Sequence, residues 1–168
     1  MKWLWIALGT LAAIIAIVAG IGALLPERHT VTRTSRFRER PLQIWDAIDG
    51  PPTWRPEVKS FETLPPRNGH RTWKEIDAHG GAVTYEAIEE APPVHLITRI
   101  ADPKLPYSGM WIHEITIDPG GGCTLQITED GQVHNPIFRF VSRFVLGYTG
   151  TIDSFLKALH AKFGDQES

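Results

Sequence analysis

His113 and Glu129 are the two residues of this sequence whose types and spacing best suit acid–base chemistry. They lie on the last two strand-like segments, which are joined by the turn sequence Pro119-Gly120-Gly121-Gly122. If residues 119–122 form a hairpin turn, His113 lies directly opposite Glu129 on one face of the hairpin. An imidazole beside a carboxylate can exchange protons with a bound ligand, and burial would tune the pKa of both groups. The pattern therefore predicts a candidate acid–base pair.

The predicted register separates an apolar face of this hairpin from a polar one. The apolar face pairs Ile117 with Leu125, Ile115 with Ile127, Trp111 with Gly131, and Gly109 with Val133. The other face carries polar residues such as Glu114 and Thr128. Because a slip of one residue would exchange the two faces, this contrast supports the register.

Two interpretations of the His113–Glu129 pair remain open. In the first, the two side chains hydrogen-bond each other only to satisfy buried polar groups, helped by Arg139 or Arg143 at the start of the last helix. In the second, they form an acid–base couple that transfers protons to a ligand in an apolar pocket. Their opposed positions alone do not separate a structural pair from a catalytic one.

The other residues that could carry chemistry form no recognisable motif. The remaining histidines lack ligand spacings such as His-Glu-x-x-His, so no metal site is expected. The triple-glycine run joins two strands and does not open a helix, which argues against a phosphate-binding loop. The single cysteine, Cys123, excludes an intramolecular disulfide. We therefore expect neither a metal nor any other cofactor.

The predicted pair must be positioned by the last long segment, residues 136–163, which has the pattern of an amphipathic helix. The apolar residues at helical spacing are Ile137, Val141, Phe144, Tyr148, Ile152, Phe155, Leu159 and Phe163. Asn135 can cap the first turn, and Pro136 suits the first helical position because its missing N–H is not needed there. Gly147 and Gly150 lie within one turn of each other, which predicts a kink.

Seven β-strands are expected between the N-terminal region and this helix. The predicted strands are residues 29–37, 58–64, 71–77, 82–91, 94–101, 108–118 and 123–134. Turn sequences rich in proline, glycine and asparagine bound them, and strands joined by short turns pair as an antiparallel meander. A short helix is expected at residues 42–48, followed by a second short helix or turn at residues 54–56.

Residues 3–25 form an uncharged apolar segment that is long enough to cross a bilayer. At 1.5 Å per residue the segment spans roughly 34 Å. A cleaved signal peptide would have a shorter apolar core, so we expect an uncleaved anchor at residues 1–26 and one domain at residues 27–168. More arginines follow the span than basic groups precede it, which places the domain on the cytoplasmic side of the membrane.

Composition limits the classes of partner. The chain has 168 residues and a net charge of −2. The part that follows the anchor is large enough for one domain with a real core. Nucleic-acid binding needs a basic surface, so no nucleic-acid partner is expected. The predicted partners are the membrane, through the N-terminal helix, and a small molecule.

The order of these elements resembles the START-like helix-grip superfamily (SRPBCC), which includes Bet v 1-type and polyketide cyclase/dehydrase-like proteins. The motifs that carry the resemblance are Glu39-Arg40-Pro41-Leu42-Gln43-Ile44-Trp45-Asp46, Trp54-Arg55-Pro56-Glu57-Val58, Ser108-Gly109-Met110-Trp111, Glu129-Asp130-Gly131 and Asn135-Pro136. The resemblance covers residues 29–163. It implies an α+β fold in which a curved seven-stranded antiparallel sheet grips a long C-terminal helix, with two short helices after the first strand and an apolar cavity inside. Here one transmembrane helix precedes that fold.

The superfamily includes ligand carriers, cyclases and proteins without an assigned activity, so the resemblance constrains the fold more than the chemistry. A large apolar cavity beside a bilayer predicts binding of a hydrophobic small molecule, such as a lipid, isoprenoid or polyketide-like compound. The predicted cavity residues are Trp45, Trp111, His113, Ile115, Ile127, Glu129, Phe144, Tyr148 and Phe155. Two alternatives stay open. The first is a cyclase/dehydrase-like or hydrolytic enzyme that uses His113 and Glu129, and the second is a ligand-free scaffold for a membrane partner.

Overall fold

In the computed structural model, which describes residues 2–164, an apolar helix precedes an antiparallel sheet and a helical C-terminal segment. The helices are α1 (Lys2–Leu24), α2 (Pro41–Asp49), α3 (Pro136–Val141) and α4 (Gly150–Phe163). The strands are β1 (Arg28–Phe37), β2 (Val58–Arg67), β3 (His70–Asp77), β4 (Ala82–Ala91), β5 (His95–Ile100), β6 (Tyr107–Ile117) and β7 (Cys123–Val133). Residues 1 and 165–168, the outer ends of the predicted anchor and domain, lie outside the described residues.

The seven strands form one antiparallel sheet in the order β1-β7-β6-β5-β4-β3-β2. Strands β2 to β7 are a meander of consecutive hairpins, and β1 closes the order by pairing with β7. This arrangement follows from the short turns between the strands, which leave each strand beside the one before it. The predicted α+β class and the seven-stranded antiparallel sheet are confirmed.

The end of β2 differs from the prediction. The paired prolines Pro65 and Pro66 were expected to end this strand, but they lie inside it, where its pairing with β3 is irregular. An edge strand tolerates proline because its outward N–H groups have no ladder partner to lose. The turn itself is made by Asn68 and Gly69, whose φ values of 52° and 84° suit a tight two-residue hairpin.

Between β1 and β2 the described chain forms one helix, α2, and then a turn. Of the second short helix or turn expected at residues 54–56, the turn is formed, and the N–H of Arg55 donates to the carbonyl of Pro52 at 3.0 Å. The second short helix that the family resemblance implied is absent from this described stretch. The prolines around this turn remove backbone donors and prevent a helical ladder. The indole of Trp54 donates to the carbonyl of Ala47 at 3.0 Å and so holds the turn against α2.

The predicted C-terminal helix is divided into two parts. Asn135 caps α3 as expected, because its side chain accepts two backbone N–H groups at 2.9 and 3.2 Å. A π-helical turn, Ser142–Leu146, follows α3. Gly147 then adopts φ 73° and ψ 146°, a backbone conformation that glycine adopts far more easily than other residues. The irregularity predicted near this glycine is confirmed, and it is a break in the helix.

The hydrophobic core lies between the inner face of the sheet and the helices α2 and α4. Its large members are Phe37, Ile44, Trp45, Trp73, Leu96, Ile115, Leu125, Ile127, Ile152, Phe155, Leu156 and Leu159. Burying each such side chain contributes roughly 1.5–3 kcal/mol before the ordering entropy is subtracted. These contacts fix α4 against the sheet and leave the other end of the inner face less filled.

The β6–β7 hairpin is two residues out of the predicted register. Trp111 lies opposite Glu129, and His113 lies opposite Ile127. The two glycines before Cys123 have φ values of 90° and 79°, which lets the turn close so tightly that the ladder begins at Cys123 itself. Because the shift is two residues, the inner and outer faces are as predicted, but the direct opposition of His113 and Glu129 is wrong.

Helix α1 is long and apolar enough to cross a membrane, as a signal sequence near the N-terminus would also be. Its large side chains are exposed along its length, so it takes no part in the hydrophobic core. It meets the domain at its last turn, where Gly22 lies directly against Pro136 of α3. Nη1 of Arg139 donates to the carbonyl of Leu25 at 3.1 Å, which satisfies one of the unpaired carbonyls at the helix end.

Candidate functional site

A cavity of about 390 Å³ lies between the inner face of the sheet and the segment that runs from α3 to α4. Its aromatic lining is made by Trp73, Tyr85, Tyr107, Trp111, Phe138, Tyr148 and Phe155. The ring of Phe155 packs edge-on against Trp111, with ring centroids 5.4 Å apart. This edge-to-face contact is a preferred geometry for aromatic pairs, so the wall is well ordered.

Glu129 is the centre of one polar group in the cavity wall. Its Oε2 accepts a hydrogen bond from the indole of Trp111 at 2.9 Å, and its Oε1 lies 3.3 Å from Nε2 of His29. The side chains of His29 and Glu129 are only 12% and 18% exposed. The His29 ring stacks on Tyr148 with centroids 4.3 Å apart. Three strands and the α3-to-α4 segment therefore meet at one carboxylate.

Gly131 provides the space for this polar group. It pairs with His29 across the β1–β7 ladder. A Cβ atom at Gly131 would lie 2.5 Å from Cε1 of His29 and 3.2 Å from Oε1 of Glu129. The sequence predicted Trp111 opposite Gly131, but in the shifted register Gly131 leaves room for the imidazole of His29.

A second polar group lies at another part of the wall. Nη1 of Arg55 donates to Oε2 of Glu75 at 2.9 Å, and the indole of Trp73 donates to Oε1 of Glu75 at 3.1 Å. Burial lowers the pKa of Arg55, but Glu75 and Glu57 raise it by more, so the guanidinium stays charged. Burial also raises the pKa of Tyr85, and the Glu75 carboxylate raises it further. This region therefore offers a paired guanidinium and a neutral phenol.

His113 lies in the cavity wall but does not pair with Glu129. Its Nδ1 is 3.3 Å from the carbonyl oxygen of Leu96. The side chain is almost fully buried, and burial lowers the pKa of His113 to about 4. At neutral pH the imidazole is therefore uncharged. It donates to the carbonyl of Leu96 when its proton is on Nδ1. In the structure, the histidine that partners Glu129 is therefore His29 and not His113.

The predicted cavity residues divide between the cavity, the core and the surface. Those that line the cavity are Trp111, His113, Glu129, Tyr148 and Phe155. Trp45, Ile115 and Ile127 belong to the core instead, where the sheet packs directly against α2 and α4. Phe144 is exposed, because the π-helical turn changes the helical phase before the break at Gly147. These four predictions are corrected.

The two arginines that were expected to help the pair act elsewhere. Arg139 turns away from the cavity and binds the end of α1 and Glu27, with Nη2 2.8 Å from the Glu27 carboxylate. The guanidinium of Arg143 lies over the ring of Tyr148, 5.4 Å from its centroid. Arg143 therefore reaches the His29–Glu129 group only through the Tyr148 ring that stacks on His29.

Several lining residues were not predicted. His29 shares the inner face of β1 with Val31, and strict alternation along that strand could have indicated its position. Arg55 lies in an irregular turn, where no periodicity shows which way a side chain points. Its carboxylate partner Glu75 lies on the inner face of β3, where a polar residue alone gives no signal of a buried partner.

No protein-family model and no curated protein sequence matches this chain. Known structures do match its fold. A START superfamily protein from Mycobacterium smegmatis superimposes with a TM-score of 0.63 and 18% identity, over 80% of this chain and 96% of that chain. A protein from Mesorhizobium loti gives a TM-score of 0.62 and 18% identity, over 81% of this chain and 97% of that chain. Norcoclaurine synthase from Thalictrum flavum gives a TM-score of 0.61 and 10% identity, over 83% of this chain and 88% of that chain.

These likenesses define the class of fold. The chain has the START-like helix-grip fold, which confirms the resemblance predicted from the sequence. At such low identity the likeness establishes the fold alone, and the chemistry must be argued from the cavity. Among residues 2–164, no group of three or more His, Cys, Asp or Glu side chains is placed to hold a metal ion.

Proposed function

We propose that this protein binds a hydrophobic small molecule in the cavity between the sheet and the C-terminal helices. The observation that carries the proposal is the aromatic-lined cavity of about 390 Å³. Sites for small organic molecules have volumes of roughly 300–1,000 Å³ and mostly apolar walls with few polar groups. A lipid, isoprenoid or polyketide-like compound supplies the apolar surface that such a wall requires.

The polar groups of the wall suggest an amphiphilic ligand. The Glu129 carboxylate and the Arg55 guanidinium already have protein partners at 2.9 Å. A ligand therefore gains mainly from apolar contact, and a single polar atom can reach one of these pre-ordered groups. The free energy of binding then depends on how well the apolar part fills the space among Trp73, Trp111 and Phe155.

We also propose that α1 is an uncleaved membrane anchor, residues 1–26, that holds one domain at residues 27–168. The large side chains of α1 are exposed rather than packed on the domain. A helix that is apolar on all sides and meets the domain only at its last turn is stable in lipid. The arginines that follow it, beginning with Arg28 and Arg33, support a cytoplasmic position for the domain.

Native mass spectrometry of the detergent-extracted full-length protein tests the proposed binding. We expect a stoichiometric apolar molecule to be retained. Thr98 faces the cavity opposite Trp111, so a Thr98→Phe variant should fill the space and lose this molecule. Thr116→Phe makes the same change on the outer face of β6 and should keep it. A protein that carries no such molecule would contradict the binding proposal and favour the scaffold alternative.

An enzymatic role is the second candidate, and one observation favours it. The Glu129 carboxylate lines the cavity with the imidazole of His29 at 3.3 Å, an arrangement that suits proton transfer to a bound molecule. His113 was expected to be the partner in a cyclase/dehydrase-like or hydrolytic reaction. In this second candidate His29 replaces it, because His113 is bonded to Leu96.

A further inference from the structure

Large apolar side chains are exposed on the segment that follows β7. Their exposed fractions are 40% for Ile137, 44% for Phe138, 59% for Phe144 and 69% for Val145. We call these four side chains the α3 apolar surface. Burying them against water-free surroundings would be favourable, because apolar area in contact with water is costly.

The end of α1 fixes the height of this surface relative to a bilayer. Helix α1 has 23 residues and is therefore roughly 34 Å long, slightly more than the roughly 30 Å hydrocarbon core that it would cross. Its last turn must then lie at the membrane boundary. Gly22 in that turn touches Pro136, and Arg139 donates to the carbonyls of Gly22 and Leu25 at 3.4 and 3.1 Å. Helix α3 is thus held at the same level.

We propose that the α3 apolar surface inserts into the interfacial layer of the bilayer, beside the point where α1 leaves it. The proposal rests on the membrane anchor proposed above. It commits to lipid as the occupant because the surface is continuous with α1, so that lipid surrounding the end of α1 must also reach α3. The exposed Arg143 belongs to the same segment, and the exposed Arg28 pairs with Gln132 near the end of β7; both suit the phosphates of lipid head groups.

This docking would hold the opening of the cavity on the membrane. Four of the described lining residues are exposed, and three of them, Phe138, Gly147 and Thr151, lie on the segment from α3 to α4. Phe138 belongs both to the cavity wall and to the α3 apolar surface. A lipid-soluble molecule would therefore pass from the bilayer into the cavity without crossing bulk water.

Variants of the full-length protein with one added cysteine test the docking in phosphatidylcholine nanodiscs. Val145→Cys and Ile117→Cys are a matched pair, because these side chains are 69% and 68% exposed. Ile117 lies at the end of β6 opposite to Tyr107, which pairs with Val133 just before α3. Ile14→Cys reports on α1. Each variant carries an environment-sensitive fluorophore, and the native Cys123 is buried and should not react. Quenching by doxyl-labelled lipid is compared with quenching by aqueous iodide.

We expect lipid quenching at positions 14 and 145 to exceed that at position 117 several-fold, and iodide quenching to show the reverse order. Equal behaviour of positions 145 and 117, with position 14 quenched by lipid, would overturn the docking and leave the anchor intact. Position 145 protected from both quenchers would mean a protein partner or a second copy, which also overturns the docking. Quenching of position 14 by iodide would show that α1 lies in water, which contradicts the proposed anchor.

Discussion

The indole N–H of Trp111 donates to Oε2 of Glu129 at 2.9 Å across neighbouring strands, so a wall aromatic holds the carboxylate that faces the cavity. His29 lies 3.3 Å from the other carboxylate oxygen. A carboxylate fixed at both oxygens loses little further freedom when a ligand binds beside it. Experiments on Glu129 and its neighbours can distinguish a structural role of this group from a functional one.

Replacing Glu129 with Gln removes the charge but nearly preserves the size of the side chain. In a binding protein we expect a loss of about 1–3 kcal/mol in the free energy of unfolding, with the ligand still retained. In an enzyme we expect turnover to fall roughly a hundredfold while ligand affinity changes little. Denaturant unfolding, ligand titration and activity assays measure these quantities.

The control for this variant is Glu114→Gln. Glu114 lies on the outer face of β6, where it accepts a hydrogen bond from Gln126 at 3.0 Å. We expect this change to leave binding and turnover unaltered. Equal effects of the two substitutions would show that the cavity carboxylate has no special role.

Gly131→Ala tests the space beside His29. The new Cβ would lie 2.5 Å from the imidazole, so His29 or the strand must move. Overpacking of this kind costs about 1–3 kcal/mol, and displacement of His29 should weaken ligand binding as well. Gly120→Ala, which has open space around its Cβ, is the control. Full ligand affinity in Gly131→Ala would contradict a role for His29 in the site.

The strands and their faces could be predicted because each rule involved is local. Turn residues mark strand ends, and alternation along β6 and β7 shows which side chains point inward. The register could not be fixed in the same way, because it depends on how tightly the glycines before Cys123 close the turn. A two-residue error leaves every face correct and still moves Glu129 from His113 to Trp111.

The division between cavity and core is a tertiary property. Ile115 and Trp111 point to the same face of β6, but Ile115 is enclosed in the core while Trp111 borders the cavity. No pattern within the strand shows where the helices stop covering the sheet. Phe144 fits the helical period as well as Tyr148 does, but the π-helical turn and the break at Gly147 place the two side chains differently.

The buried imidazole of His113 should make stability depend on acid pH. The pKa of His113 is lowered from 6.5 to about 4 by burial, so between these values the unfolded chain binds more protons than the folded chain. Stability therefore rises with pH across this window and is lost as the pH falls from 6.5 to 4. We expect a loss of up to roughly 3 kcal/mol from this group.

Denaturant unfolding of the detergent-solubilised protein between pH 7 and pH 4 measures this dependence. His113→Gln should remove it, since glutamine does not titrate and can still donate to Leu96. His79→Gln, in the exposed β3–β4 turn, should leave it unchanged. Acid sensitivity that persists in His113→Gln would assign the effect to other groups.

Deleting residues 1–26 should release a folded and soluble domain. Strand β1 begins at Arg28, and Arg139 keeps its bonds to Glu27 and to the carbonyl of His134 at 2.8 and 3.1 Å. The lost bonds to the end of α1 should lower the free energy of unfolding by about 1–3 kcal/mol. Sedimentation without detergent and circular dichroism check this. An unfolded fragment, or a full-length chain that high salt washes off membranes, would contradict the anchor.

The orientation of the domain is open to a protection assay. A protease added outside intact cells should leave the domain uncut, because the arginines that follow α1 favour the cytoplasmic side. The same protease should digest it after the cells are permeabilised with detergent. Cleavage in intact cells would place the domain outside.

Only Leu25, Pro26 and Glu27 separate α1 from β1. Three extended residues reach at most roughly 10 Å, and Arg139 ties this short connection to α3. A linker this short does not allow the domain to move away from its own bilayer. With the proposed anchor, a bound molecule therefore diffuses laterally together with the protein. The protein can transfer this molecule to another protein in the same membrane, but it cannot carry it through water to a second membrane.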